Sequence, residues 1–371
     1  MGTAGAVIVV VALLGASWWL THGTPGLPGE VTSTLERGPA GGFGAPAPAV
    51  PPPSAHVVAL ADAAHFSQEG RRLFYAAQPQ ILGATAFAGR CASAPAAQVL
   101  AAGGAAGCYL AGPDRIVVYE PADPRLRGQA VQTAAHETLH AAWEQLPAAD
   151  RTRLIPLLEA QVAGLAPTDP LREQLAGSIG SHPENRPTEM FAYLGTQIWR
   201  AGGLGPELEQ VYARFIIDRQ ALVAMYTAQV VQLETMSATI SAAYQAAAAV
   251  GATNARNRAQ LDADFASVAY YRHAYDTKAA QVATMTAADR AGLRLSWQWW
   301  DGTDLPMAPA KQTLAAAAAL LVRDEATLPQ RQATVQAAED AATTERARIQ
   351  GLVTDLQTLQ TQRDPVTAAA H

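Results

Sequence analysis

The segment TAAHETLH, residues 133–140, carries two histidines and a glutamate at a spacing that suits a metal ion. On a helix, positions four residues apart lie on one face, with Cβ atoms about 5–6 Å apart. His136 and His140 can therefore offer two imidazole nitrogens to one zinc ion. Glu137 lies beside that metal, where it can act as general base towards a water molecule whose pKa zinc lowers to about 7. The pattern predicts a hydrolytic Zn²⁺ site.

These residues lie in a stretch that we predict to be a helix from about Arg125 to Leu146. Apolar residues recur in it at spacings of three and four, as in a helix with one buried face. They are Val131, Ala135, Leu139, Ala142 and Leu146. The histidines fall opposite this stripe, so we expect them on an exposed catalytic face. Surface histidines that bind no metal are the alternative.

A β-branched run, RIVVYEP at residues 115–121, precedes the helix and predicts a strand. This order resembles the zincin metallopeptidases, in which an edge strand precedes the HExxH helix and aligns an extended substrate above the metal. The metzincin branch requires glycine and histidine where this chain has Trp143 and Leu146. Over residues 66–219 the chain also resembles membrane-anchored bacterial proteins of unassigned function, which carry an HExxH domain followed by long helices.

The zincin resemblance implies a third protein ligand, with the fourth metal position left open. We expect Glu189, because it opens the predicted helix TEMFAYLG and a glutamate from a second helix is the gluzincin arrangement. His182 and Glu184, in the loop SHPENRP, remain alternatives. Tyr193 follows Glu189 by four residues on the same face and is a candidate to stabilise an oxyanion. A packing role for Tyr193 stays open as well.

The N-terminal region predicts a membrane anchor over residues 1–21. Residues 4–20 contain no charge and end in Trp18 and Trp19, as in a bilayer span of about 17–25 residues. A signal peptide is less well matched, because a basic segment before the apolar run and a nearby cleavage site after it are missing; cleavage would make the protein secreted. The Gly- and Pro-rich residues 22–55 predict an extended linker.

The cysteines and the charge indicate where the protein works. Cys91 and Cys108 are its only cysteines, and a disulfide between them suits a chain that leaves the cytoplasm. Two free buried thiols are the alternative. With the anchor, this pair predicts a body held outside the cytoplasm at the cell membrane. The net charge is −6 and no Lys/Arg cluster occurs, so nucleic acid is not an expected partner.

The remaining chain divides by composition into three parts. Residues 56–215 are globular and are predicted to form the zincin-like domain. Residues 216–364 hold two apolar runs with heptad-like spacing on either side of SWQWWDGTDLP, which predicts an antiparallel coiled-coil hairpin with a hydrophobic cap. Residues 365–371 are predicted to be a disordered tail. The fold class is therefore α+β and mostly helical, with a small sheet.

Together these features predict a membrane-anchored zinc metallopeptidase that acts on a peptide or protein substrate. Its coiled coil is available to bind a protein partner. The alternative function is a catalytically silent envelope scaffold or adaptor that works through the coiled coil. A purely structural metal site would not need Glu137, which favours the peptidase. A cytoplasm-facing regulatory protease is a third alternative, and reduced cysteines would favour it.

Overall fold

The computed structural model describes residues 51–91 and 106–370, and most of them are helical. The high alanine content favours helix. The first part of the described chain comprises the helices α1 (Ala55–Ala63), α2 (Gln68–Ala76), α3 (Ala84–Phe87), α4 (Arg127–Gln145), α5 (Ala148–Ala163), α6 (Pro170–Ile179), α7 (Arg186–Gln197) and α8 (Pro206–Ala213), with the strands β1 (Gln80–Leu82), β2 (Gly107–Leu110) and β3 (Arg115–Tyr119). The second part comprises α9 (Arg219–Ala283), α10 (Ala287–Gly292), β4 (Arg294–Gln298), β5 (Asp304–Pro309), α11 (Ala310–Arg363) and α12 (Pro365–Ala369). The predicted α+β, mostly helical class is confirmed.

The run RIVVYEP forms β3, as predicted, but it is the central strand and not an edge strand. The sheet order is β1-β3-β2, with β1 parallel and β2 antiparallel to β3. Ile116 and Val118 pack into the main core, whereas Val117 and Tyr119 pack into a second cluster on the other face. A strand that is apolar on both faces is covered on both, which is typical of an interior strand. The edge strand beside the motif helix is β2.

Helix α4 lies in the middle of the core, so the expected exposed histidine face is wrong. Helices α1, α2, α7 and α9 and strands β2 and β3 all contact it. Every residue from Thr133 to Trp143 is buried in consequence. Its alanines allow these elements to approach closely on several sides, and the apolar stripe marks only one of the covered faces.

Helices α9 and α11 pack side by side in opposite directions and form a long hairpin. Asn254 donates to the carbonyl oxygen of Ala338 at 3.0 Å. Further along, Arg331 of α11 donates to Asp264 of α9 at 2.5 Å. The residue numbers of the contacting positions increase along α9 as they decrease along α11, so the two helices are antiparallel. Coiled-coil packing of the apolar side chains stays a prediction.

The aromatic segment between the two long helices forms a β-hairpin, β4–β5, that packs on them. Trp299 is buried against Leu261 and Leu321. Its indole N–H donates to the buried carboxylate of Asp324 at 2.8 Å. The predicted cap at the hairpin turn is therefore present, with a β-hairpin in place of a loop.

The C-terminal end of α11 returns to the sheet. The Tyr119 hydroxyl donates to the carbonyl oxygen of Gln362 at 2.7 Å. The residues after it form α12, so disorder is the wrong prediction for Pro365–Ala369. Asp364 caps this helix, and Ala368 packs against the cluster that contains Phe87. Pro365 is buried and Ala368 is partly buried, and these contacts, which the tail's own sequence does not reveal, hold the segment.

The predicted anchor, residues 1–21, and residues 22–50 of the predicted linker lie outside the described residues. Within the described ranges, none of the helices combines the length and the apolar character that a membrane crossing requires. Cys91 and Cys108 are joined in a disulfide, with their Cα atoms 5.9 Å apart. Of the two predicted cysteine states, the disulfide is the correct one.

Candidate metal centre

Helices α4 and α7 bring two histidines and one glutamate together in the core. The Nε2 atom of His136 lies 3.6 Å from Oε2 of Glu189. The Nε2 atom of His140 lies 3.7 Å from Oε1 of the same carboxylate. One nitrogen or oxygen atom from each residue lies within 4.8 Å of the others, and all three residues are buried. This group can bind a metal ion.

Three of the possible ligand atoms of this group have no hydrogen-bond partner in the part of the chain that the structure describes. Nε2 of His140 and both carboxylate oxygens of Glu189 are buried and have no hydrogen-bond partner among the described residues. Their mutual distances exceed the 2.7–3.2 Å of a normal hydrogen bond. Buried polar groups are otherwise almost always hydrogen-bonded, because leaving one unpaired costs about 1–3 kcal/mol. The unpaired atoms converge on one point, as expected for ligands of a cation.

The first turn of α7 positions Glu189. Pro187 suits the helix start, where a backbone N–H would lack a partner in any case. Glu189 lies in this turn, where the helix dipole favours a carboxylate. Farther along, Gly195 allows a close crossing with α4, since a Cβ atom there would lie 2.5 Å from Cδ1 of Leu139. The crossing fixes the separation of the carboxylate from the histidines.

Thr188, the residue before Glu189, orients the second histidine. Its hydroxyl oxygen lies 2.8 Å from Nδ1 of His140, and both side chains are buried. With the proton on Nδ1, this contact is an N–H···O hydrogen bond that leaves Nε2 free to bind a metal. The sequence does not indicate this contact, because a threonine there has no distinguishing spacing.

Glu137 lies next to the three candidate ligands and faces strand β2. Its Oε2 atom is buried and has no hydrogen-bond partner among the residues that the structure describes. The backbone N–H of Tyr109 hydrogen-bonds to its carboxylate. Strand β2 is absent from the sequence-based predictions, although GCYL, the turn residues and RIVVY together have the pattern of a β-hairpin.

Burial dominates the electrostatics of the centre. It raises the pKa of Glu137 to about 8, against the opposing effect of His136. Burial also raises the pKa of Glu189. It lowers the pKa of His140 well below its ordinary value, and the neighbouring His136 lowers it further. For His136, burial is outweighed by the Glu189 and Glu137 carboxylates, so its pKa is raised.

The other predicted site residues differ in their placement. The ring of Tyr193 packs edge-on against His136 with 4.5 Å between ring centroids. Its hydroxyl forms a hydrogen bond of 2.6 Å with Ser178 on α6. His182 and Glu184 pair with each other at 3.0 Å near the surface and do not belong to the group. Of the three candidates for the third ligand, the structure brings Glu189 to the histidines.

Comparison of the chain with protein-family models, with curated proteins and with solved structures finds no match.

Proposed function

We propose that this protein is a zinc-dependent peptidase, with His136, His140 and Glu189 as metal ligands and Glu137 as general base. The convergence of the unpaired Nε2 of His140 with both unpaired oxygens of Glu189 carries the proposal. Two imidazoles and one carboxylate are a common ligand set of catalytic zinc, and they leave a position for water or substrate. A bound zinc ion would polarise the peptide carbonyl and lower the pKa of an attacking water molecule.

Glu137 is the residue that moves the proton. Its buried Oε2 has no hydrogen-bond partner among the described residues, so this oxygen is available to take a proton from a water molecule and to return it. It would accept the proton of the attacking water and then donate it to the amine that leaves. A metal site with only a structural role has no need for this buried carboxyl beside the ligands.

Tyr193 is the candidate for stabilising the oxyanion. Its contact with His136 keeps the phenol beside the metal ligands. To donate to a developing oxyanion, its hydroxyl would have to turn from Ser178 to the substrate oxygen. Substitution by phenylalanine separates this role from packing, since it keeps the ring and removes the hydroxyl.

The surroundings of the site fit an extracytoplasmic peptidase held by an N-terminal anchor. The Cys91–Cys108 disulfide is typical of proteins outside the cytoplasm, and it disfavours the cytoplasm-facing alternative. The hairpin of α9 and α11 would hold or recruit a protein partner, with coiled-coil packing along its apolar seam. In the alternative function, the protein is an envelope scaffold that acts through the hairpin, and the metal centre has no catalytic role.

Metal analysis of the full-length protein tests the proposal. We expect one zinc ion per chain, lost in His140→Ala and in Glu189→Ala and retained in Glu137→Gln. His182→Ala, which removes a histidine outside the group, is the matched control and should retain zinc. A peptide-library assay should then detect cleavage by the wild type and not by Glu137→Gln. A protein without zinc after reconstitution, or with zinc but without peptide cleavage, would favour the scaffold.

A further inference from the structure

Strand β2 pairs with β3 along one side and contacts helix α4. Its register places Cys108 opposite Val117. The Tyr119 N–H donates to the carbonyl oxygen of Ala106 at 2.7 Å. In an antiparallel pair, residues alternate between those that bond to the partner strand and those that point away. Ala106 and Cys108 therefore bond to β3, and the residues on either side of Cys108 direct their N–H groups away from it.

The first of these outward groups, the N–H of Tyr109, meets Glu137. It hydrogen-bonds to the Glu137 carboxylate, whose Oε2 atom has no hydrogen-bond partner within the described ranges. A carboxylate held by one oxygen is restricted in rotation and presents the other oxygen in a defined direction. The edge strand thus fixes the orientation of the proposed general base.

The second of these residues, Gly107, leaves room for the Glu137 carboxylate because it has no side chain. A Cβ atom at this position would lie 3.1 Å from Oε1 of Glu137 and 2.4 Å from Cγ2 of Thr133. Glycine within a strand often marks such a close approach of backbone to another group. A Cβ atom there would also lie 2.9 Å from the backbone oxygen of Val117, so a side chain at Gly107 would strain the packing of β2 on α4 and β3 and would crowd the Glu137 carboxylate.

Between these two residues lies Cys108, which the disulfide joins to Cys91. Cys108 is fully buried and packs with Phe87 and Tyr119. The bond ties the middle of a four-residue edge strand to the chain just after α3. A short edge strand has ladder hydrogen bonds on one side only, so this covalent tie adds a second restraint on its position.

We propose that β2 is the positioning element for Glu137: the Tyr109 N–H holds one carboxylate oxygen, Gly107 provides the space, and the Cys91–Cys108 bond keeps the strand in place. The catalytic meaning of this role rests on the proposed peptidase function. The hydrogen bond between the Tyr109 N–H and Glu137 does not depend on that function and can be measured separately.

Hydrogen–deuterium exchange of the Tyr109 amide, read by mass spectrometry at single-residue resolution on the full-length protein, tests the contact. Glu137→Ala removes the acceptor and should speed exchange about tenfold or more. Glu137→Gln keeps an oxygen acceptor and should leave exchange near the wild-type rate. An amide that exchanges at the same rate in all three proteins overturns the proposal.

Cys91→Ala tests the covalent tie while leaving the buried Cys108 in place. We expect faster exchange at Tyr109, unchanged protection of the β3 amides and an unchanged zinc content. Those controls separate local loosening of β2 from unfolding. If the Tyr109 amide in this variant exchanges as slowly as in the wild type, the disulfide does not help to hold β2 in place.

Gly107→Ala tests the consequence for catalysis. A misplaced base lowers kcat by about 10–100-fold, while KM and the zinc content change little. Gly83→Ala is the matched control, because a Cβ atom there meets nothing within 4 Å. A Gly107→Ala enzyme with wild-type kcat overturns the positioning role. If the wild type cleaves no peptide, the proposed function fails, and the exchange rates still decide whether β2 holds Glu137.

Discussion

The Nδ1 atom of His140 lies 2.8 Å from the hydroxyl oxygen of Thr188, the residue that precedes Glu189 in the chain. One short segment of α7 therefore supplies a candidate ligand and orients another. The pair joins the two helices at the point where the metal would bind, so the geometry of the centre depends on their packing.

Loss of the Thr188 hydroxyl should weaken metal binding. In Thr188→Val the shape is kept but Nδ1 of His140 loses its partner, and we expect zinc affinity to fall about 10–100-fold. Thr196→Val is the matched control, because that buried hydroxyl donates to the carbonyl oxygen of Ala192 in its own helix. Competition titration with a zinc chelator measures both. Equal affinities in the two variants would contradict the orienting role.

Removal of the metal should lower the melting temperature. A ligand present at about 1,000 times its Kd stabilises the folded state by about 4 kcal/mol, which chelation abolishes. Glu137→Gln keeps the ligands and should show the same chelator-dependent shift as the wild type. His140→Ala should show none. Calorimetry with and without chelator gives the result, and a shift in His140→Ala would mean that the metal binds elsewhere.

The metal-free protein should lose stability as pH rises from 6.5 to 8. Glu137 has a folded-state pKa of about 8 against an ordinary 4.5, so the folded state holds more protons than the unfolded state in this window. The raised pKa of His136 acts in the same direction. The lowered pKa of His140 acts oppositely, but mainly near and below its ordinary value of 6.5.

Glu137 alone should contribute about 1–2 kcal/mol to this loss. Urea unfolding in chelator at pH 6.5 and at pH 8 measures it, with Glu137→Gln as the comparison. The variant should show a smaller decrease than the wild type. Parallel behaviour of the two proteins would mean that Glu137 does not hold its proton in the folded state.

A methyl group at Gly195 should separate α4 from α7. Its Cβ atom would lie 2.5 Å from Cδ1 of Leu139 and 2.7 Å from Cε1 of Tyr212. Such overpacking costs about 1–3 kcal/mol, and the displaced Glu189 should also bind zinc more weakly. In Gly177→Ala, where a Cβ atom meets nothing within 4 Å, the gain in helix propensity should stabilise by about 0.5–1 kcal/mol. Urea unfolding in chelator separates the two outcomes.

The sequence by itself determined the features that depend on local spacing. His136 and His140 share a helix face because they are four residues apart, and RIVVY forms a strand because of its β-branched residues. The long helices and the aromatic segment between them follow from periodicity and turn residues in the same way. These signals lie within a few residues of each other, so no knowledge of packing is needed to read them.

Only the tertiary structure decided which distant residues meet these features. It brings Glu189 to the histidines and leaves His182 at the surface, because α7 crosses α4 at Gly195. It also makes β2 the edge strand beside Glu137 and buries the centre that we expected to be exposed. Such contacts depend on helix crossings, sheet order and the space left by glycines. Residue types and spacing along the chain do not carry that information.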